Sequence, residues 1–341
     1  MPMLPETYRR VVLAARPPAE VSPNDFRLET VALPQPKHRE ILVRAIYLSL
    51  DPYMRGRMKD VPSYAPPVAI GGVMAGGIVG QVVASNHPDF AVGEYVEGSL
   101  GWQEYAIAQG SELRKIDPAH GPISWSNSIL GMPGMTAYFG LFDVAGIKAG
   151  ETVVVSAASG AVGQAVGQLA KIAGCRVVGI AGGAAKCDYV VRELGFDACV
   201  DYKAGDLDAA LKAAAPGGVD VYFDNVGGAV ADAVFKQMNF FGRIALCGSV
   251  SQTSLAAPEM GPRLLGLFVG KRVTMRGFIV FDFVSRYPIA LPRMAAWLKS
   301  GQIKYREDIV DGIENAPAAF AGLLRGDNFG KMQVRLGPDS L

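Results

Sequence analysis

The sequence predicts an α/β chain in which a doubly wound parallel sheet follows a β-rich domain of irregular strands. Three observations predict it. From Glu151 short, wholly apolar runs alternate with helix-like stretches. Ahead of them, strand-like runs are broken by Pro and Gly clusters. One apolar run also passes straight into a turn of small residues and then a helix. With 341 residues, 50% hydrophobic, 19% charged and 41 glycines, the composition suits a two-domain enzyme with buried parallel sheets.

In the first part of the chain, RVVLAAR from Arg10, EILVRAIYLSL from Glu40 and WQEYAIA from Trp102 read as strands. PSYAPP and GGVMAGG lie between them as loops. From Glu151 the order is TVVVS, a helix near Ala161 to Ala173, RVVGIA, another helix, DVYFDNVGG and RIALCGSVS. Strand and helix in alternation imply parallel pairing, because each helix carries the chain back to the start of the next strand. After Ser300 come IKYREDIV, an amphipathic NAPAAFAGLLR and a strand-like KMQVRLG.

Thirty-three basic against 32 acidic residues leave no excess charge for phosphate neutralisation, so nucleic acid is not an expected partner. Cys175, Cys187, Cys199 and Cys247 stand apart without CxxC, three of them in apolar strand-like contexts such as RIALC, so neither a zinc nor a disulfide framework is expected. Pro118 to Phe142 contains no Asp, Glu, Lys or Arg, but its prolines, glycines and polar residues make it a poor membrane span. The start, MPMLPETYRR, has no apolar signal core. The expected compartment is the reducing cytoplasm.

The segment from Thr152 to Gly174 carries the clearest chemistry. A buried strand runs into Ala158, Gly160 and Gly163, which take the three positions of a GxGxxG pattern. A pyrophosphate reaches the N–H groups of a helix start only where no side chain intervenes, and the last glycine lets helix and strand pack closely. At the end of the second strand an NAD site usually offers a carboxylate to the ribose 2′-hydroxyl. Here stand Gly182 and Gly183, with Lys186 shortly after, where an ammonium could pair with a 2′-phosphate. NADPH is therefore the expected coenzyme; the alternative for Lys186 is an ordinary solvated helix lysine.

Taken together, DPYMRGRM, IGGVMAGG, LGMPGMTAYFGL, AASGAVG, YFDNVGG, GFIV and NFGK resemble the zinc-independent leukotriene/prostaglandin reductase branch of the medium-chain dehydrogenases/reductases, bacterial NADPH-dependent curcumin reductases above all. The resemblance covers nearly the whole chain. It implies a GroES-like catalytic domain over 1–125 and 303–341, a Rossmann NADPH-binding domain over 126–302, and a homodimer. It also implies that Ala158, Gly160, Ala161, Val162 and Gly163 hold the pyrophosphate, with Gly182, Lys186 and Tyr202 at the 2′-phosphate end. Asn225, the turn of Cys247 and Ser249, and Phe278, Ile279 and Val280 would line the ribose and nicotinamide, and Asn328 would reach the cofactor from the C-terminal segment. Phe278 is equally readable as core.

The sequence departs from the branch at two places. Many relatives carry a tyrosine shortly after CGS and some another after GFIV, whereas here Thr253 and Phe281 stand near those positions. No zinc set can be assembled: Gly72, Val73 and Met74 occupy the place of the zinc-dependent GHE motif, and His38, His87 and His120 are scattered. Without a Lewis acid, conjugate reduction is the less demanding chemistry. Hydride adds to the β-carbon of an enone, charge spreads into an enolate, and one hydrogen-bond donor near the oxygen suffices. The candidate donors are Tyr53 and Tyr64, both expected on loops, with the ribose 2′-hydroxyl as a third. Met54, Met132, Thr253 and Phe281 are candidate pocket walls, with core packing as the alternative for the two methionines and Phe281. The expected partner is thus a small-molecule enone. Quinone reduction, and a non-catalytic NADPH-binding protein, remain competing readings.

Overall fold

The computed structural model describes residues 4–339; Met1 to Met3 of the opening segment, Ser340 and Leu341 lie outside it. The chain divides into two compact units, one formed by Met1–Ser128 with Glu307–Leu341 and the other by Ile129–Arg306.

In the first unit β1 (Thr7–Leu13) pairs antiparallel with β2 (Phe26–Ala32). Nine of the ten residues of β3 (Glu40–Ser49) are buried, which explains the near-continuous apolar run there. Helix α1 (Tyr53–Arg57) follows, then β4 (Ile78–Ser85), β5 (Tyr95–Gly98), β6 (Tyr105–Gln109) and β7 (Leu113–Lys115). The run WQEYAIA becomes a strand only from Tyr105. Trp102 instead sits fully buried, stacked on Phe26 with ring centroids 5.2 Å apart.

The second unit opens with α2 (Met132–Phe139), so the later part of the uncharged stretch before Phe142 is a largely buried helix of this unit, while its start, up to Ser128, belongs to the first unit. Then come β8 (Thr152–Ser156), α3 (Ala161–Ile172), β9 (Arg176–Ala181), α4 (Ala184–Arg192), β10 (Ala198–Asp201) and α5 (Leu207–Ala214). They are followed by β11 (Val219–Asp224), α6 (Gly228–Lys236), β12 (Met238–Leu246), α7 (Val250–Thr253), α8 (Leu265–Lys271), β13 (Thr274–Gly277) and α9 (Tyr287–Lys299). The six strands pair in parallel in the order β10-β9-β8-β11-β12-β13. This is the Rossmann order, and the chain reverses its direction of winding at β8 and β11. Ligands of such sheets bind outside the carboxyl ends of the strands at that switch point.

The tail closes the first unit. β14 (Glu307–Asp311) runs parallel to β15 (Lys331–Arg335), and β15 pairs antiparallel with β3. Between them α10 (Ala316–Arg325) puts Phe320 edge-on to Trp102, 5.5 Å between centroids. The buried Lys331 ammonium donates to Leu50 O at 2.7 Å, Asp51 Oδ1 at 2.9 Å and Met332 O at 3.1 Å. Asp51 accepts in addition from Ser49 Oγ. A lysine this deep needs that full set of acceptors, and the pair fixes the backbone just ahead of α1. No helix among the described residues is long and apolar enough to cross a membrane.

Candidate active site

At the end of β8 the chain turns sharply through Ala157, whose φ of 51° lies in the left-handed region, into the fully buried Ala158. Ala158 N donates to Ile180 O at 3.0 Å, tying the turn to β9. Gly160 caps α3 with extended backbone and no side-chain cap bond, and the Tyr305 hydroxyl bonds only the carbonyl of Ala161, at 3.2 Å. The first-turn N–H groups, including those of Ala161 and Val162, thus have no cap to compete with an incoming anion. A Cβ on Gly163 would stand 2.2 Å from Ala157 O and 2.8 Å from Ala158 Cα, so only glycine allows α3 this close. This cradle fits a pyrophosphate.

At the far end, Tyr202 lies over Gly182. A Cβ there would meet the phenol ring at 2.9 Å and the Lys203 stem at 3.0 Å. Lys186, in the first turn of α4, is half-buried, and its N–H donates to Gly183 O at 3.1 Å. The site does hold a carboxylate that sequence reading missed, Asp201 at the end of β10. Its Oδ1 accepts from Gly183 N at 2.8 Å and Lys203 N at 3.0 Å, and these backbone bonds, helped by the Lys203 charge, hold its pKa below the usual carboxylate range. That carboxylate is thus engaged in bracing the turn. Lys203 also escaped notice, although DYK placed it beside Tyr202; its Nζ lies 5.8 Å from the Tyr202 ring centroid.

Between these ends the turn after β11 is braced from below. Asp224, 1% exposed, accepts at Oδ1 from Tyr222 OH (2.8 Å), Ser156 Oγ (3.1 Å) and the N–H groups of Val226 and Gly227 (both 2.9 Å). Asn225 donates its amide Nδ2 to Ser156 O at 2.8 Å, which orients the side chain and leaves Oδ1 as its acceptor. Asp224 O receives the N–H groups of Cys247 (2.9 Å) and Gly248 (3.0 Å), strapping the CGS turn alongside. Burial pushes the Cys247 thiol up to about 12, so it stays protonated. Ser156 and Asp224, neither singled out in the sequence, are the groups that hold Asn225 and Cys247 together.

Other candidates are placed less directly. Ser249 caps α7 without a side-chain hydrogen bond, and Thr253 spends its hydroxyl on Val250 O at 2.8 Å. Phe278 is half-buried and packs its ring against Phe223, with centroids 6.0 Å apart. Ile279 is half-buried and Val280 buried, so this stretch offers chiefly backbone, while Phe281 is exposed. Met132 opens α2 half-buried.

In the first unit Tyr53 begins α1 and is not on a loop, whereas Tyr64 is on an irregular segment and 53% exposed. Arg57, also missed, joins them: its Cζ lies 4.3 Å from the Tyr64 ring centroid and 5.8 Å from that of Tyr53. Burial, reinforced by the Asp51 charge, drives the Tyr53 phenol well above its ordinary pKa, so it holds its proton across the neutral and mildly alkaline range. Among the described residues neither phenol donates to a protein acceptor. Met54 is no pocket wall. It is 0% exposed in the core with Trp102 and Phe320, because α1 turns that face inward. Asn328 belongs to this unit as well, its Nδ2 donating to Gly330 O at 2.7 Å.

Residues 9–116 match the family described as N-terminal domain of oxidoreductase, and residues 161–296 the one described as zinc-binding dehydrogenase. Among the described residues no group of His, Cys, Asp and Glu stands where it could hold a metal ion. The NADPH-dependent curcumin reductase of Escherichia coli (strain K12) is 49% identical over 336 residues, 97% of each chain. The 2-alkenal reductase (NADP(+)-dependent) of Nicotiana tabacum is 46% identical over 309 residues, 89% of this chain and 90% of that one. The crystal structure of CurA in complex with NADPH from Vibrio vulnificus superposes with a TM-score of 0.93 at 48% identity, over 97% of this chain and 99% of that one. With these similarities over nearly its full length, a Rossmann unit and a GroES-like unit, the chain belongs to the zinc-independent medium-chain dehydrogenases/reductases, in the branch of the curcumin and prostaglandin reductases.

Proposed function

We propose that the protein is an NADPH-dependent reductase of the C=C bond of α,β-unsaturated ketones and aldehydes. The observation that carries this is a glycine-lined cradle whose far end holds Lys186, Tyr202 and Lys203, with the Asp201 carboxylate turned to backbone. The cradle residues Ala158, Gly160 and Gly163 would hold the pyrophosphate, Lys186 and Tyr202 the 2′-phosphate, and Asn225 with the Cys247 turn and the backbone of Phe278 to Val280 the ribose and nicotinamide. NADPH, when bound, supplies the hydride. Tyr53 is the preferred donor to the substrate oxygen: burial keeps it protonated, and a neutral phenol stabilises an enolate as charge arrives.

The test is an acceptor panel with NADPH. An enone or enal should be turned over and its saturated analogue left unchanged, with the same rate in the presence of a zinc chelator. Turnover of a quinone alone, oxidation of NADPH by no acceptor, or a loss on chelation that zinc restores would contradict the reading.

The same reading makes the protein a homodimer of the cytoplasm. β13 ends the six-stranded sheet with every residue exposed, Met275 among them, and α8, just ahead of it in the chain, exposes Leu265 and Val269. An unpaired edge with apolar flanks is stable when a second copy covers it. Light scattering should return twice the chain mass of 36.1 kDa; a monomer would overturn this part. The four free cysteines suit a reducing compartment.

A further inference from the structure

Cys187 and Cys199, on successive elements of the second unit, meet in the fold. Cys187 lies on α4 directly after Lys186, Cys199 on β10 just before Asp201 and Tyr202, and the Cys199 thiol donates to Cys187 Sγ at 3.1 Å. A Cβ added at Gly179, the β9 partner of Cys199, would lie 3.2 Å from Cys199 Sγ and 2.8 Å from Ala158 Cβ. The sulfur pair therefore sits one small residue away from the phosphate loop. Both cysteines are only half-buried, within reach of a small oxidant, while Cys175 is buried with its thiol on Lys148 O.

We propose that Cys187 and Cys199 are a redox-active dithiol, a modification site which a hydroperoxide closes to a disulfide and which, once closed, weakens the hold on the 2′-phosphate of NADPH. The effect on NADPH rests on the reading of Lys186 and Tyr202 as the 2′-phosphate subsite; the disulfide itself does not. Sulfurs in a disulfide stand about 2 Å apart, so closure brings the two sulfurs roughly 1 Å closer and strains the first turn of α4 and the end of β10, which carry them. Those two segments carry Lys186, the Gly183 to Asp201 hydrogen bond and Tyr202.

Cys187 is the attacking sulfur: burial raises both thiols above their ordinary pKa, but the bond between them counters that rise at Cys187 and adds to it at Cys199. It attacks the peroxide oxygen, the O–O bond breaks, hydroxide leaves and a sulfenic acid remains. Cys199 sulfur then attacks the sulfenic sulfur, the S–S bond forms, and water departs with the Cys199 proton. With hydrogen peroxide the balance is two thiols oxidised to one disulfide and one peroxide reduced to two waters. A dithiol reductant reverses it.

The test treats the reduced full-length protein with hydrogen peroxide, then measures intact mass, maps the peptides, and determines KM for NADPH and for NADH before treatment, after it, and after dithiothreitol. The expected result is a loss of two hydrogens, a Cys187–Cys199 cross-link, and a severalfold rise in KM for NADPH that dithiothreitol reverses. Cys187→Ser and Cys199→Ala should each abolish the response, whereas Cys175→Ser should keep it. Absence of that cross-link, or a cross-link that leaves KM for NADPH unchanged, would overturn the proposal. A reduced protein that prefers neither coenzyme would instead overturn the 2′-phosphate reading, with the mass-detected disulfide still standing.

Discussion

Replacing Tyr53 by phenylalanine is expected to lower kcat about a hundredfold, the cost of one oxyanion donor of roughly 2.7 kcal/mol, with little change in KM for the enone. The split follows from when the bond matters. A ketone oxygen in the ground state accepts weakly, and the hydrogen bond strengthens only as hydride delivery turns it into an enolate. Tyr53 is favoured over Tyr64 because its phenol is the more shielded from water, where a hydrogen bond to developing charge is stronger, while Tyr64 is more than half exposed and held through Arg57. Tyr64→Phe should therefore cost less. Steady-state kinetics on both variants checks this; full turnover in both would move the donor role to the ribose hydroxyl or water.

Lys186→Ala is expected to raise KM for NADPH roughly tenfold, the loss of a charge-assisted contact of about 1.5 to 3 kcal/mol, and to leave KM for NADH unchanged. Lys203 beside the Tyr202 ring supplies a second ammonium at this end, so Lys186→Ala with Lys203→Ala should widen the loss further. Kinetics with the two coenzymes side by side decides it, and equal losses for both would contradict the 2′-phosphate assignment.

Much of the architecture was legible in the sequence because parallel strands are buried on both faces. TVVVS and RVVGIA have no polar alternation to confuse them, and the loop between strand and helix is written in small residues that backbone packing demands. The β-rich part was less so. WQEYAIA looks like one strand, but Trp102 belongs to the core formed by Phe26 and Phe320, partners remote in sequence. Met54 was misread for the same reason: a helix as short as α1 gives no periodicity from which to tell its inner face. The groups that orient the site, Ser156, Asp224 and Asp201, act by hydrogen bonds to backbone across neighbouring strands. Sequence spacing does not express such contacts, and it hid the meeting of Cys187 with Cys199 equally well.

The central claim is that hydride reaches the β-carbon of a conjugated carbonyl. Reduction of an enone with NADPH deuterated at the transferred position, followed by NMR of the product, tests it most directly. The expected product is the saturated ketone with deuterium on the β-carbon and a solvent proton on the α-carbon. Deuterium on the carbonyl carbon, in an allylic alcohol, would contradict the assignment.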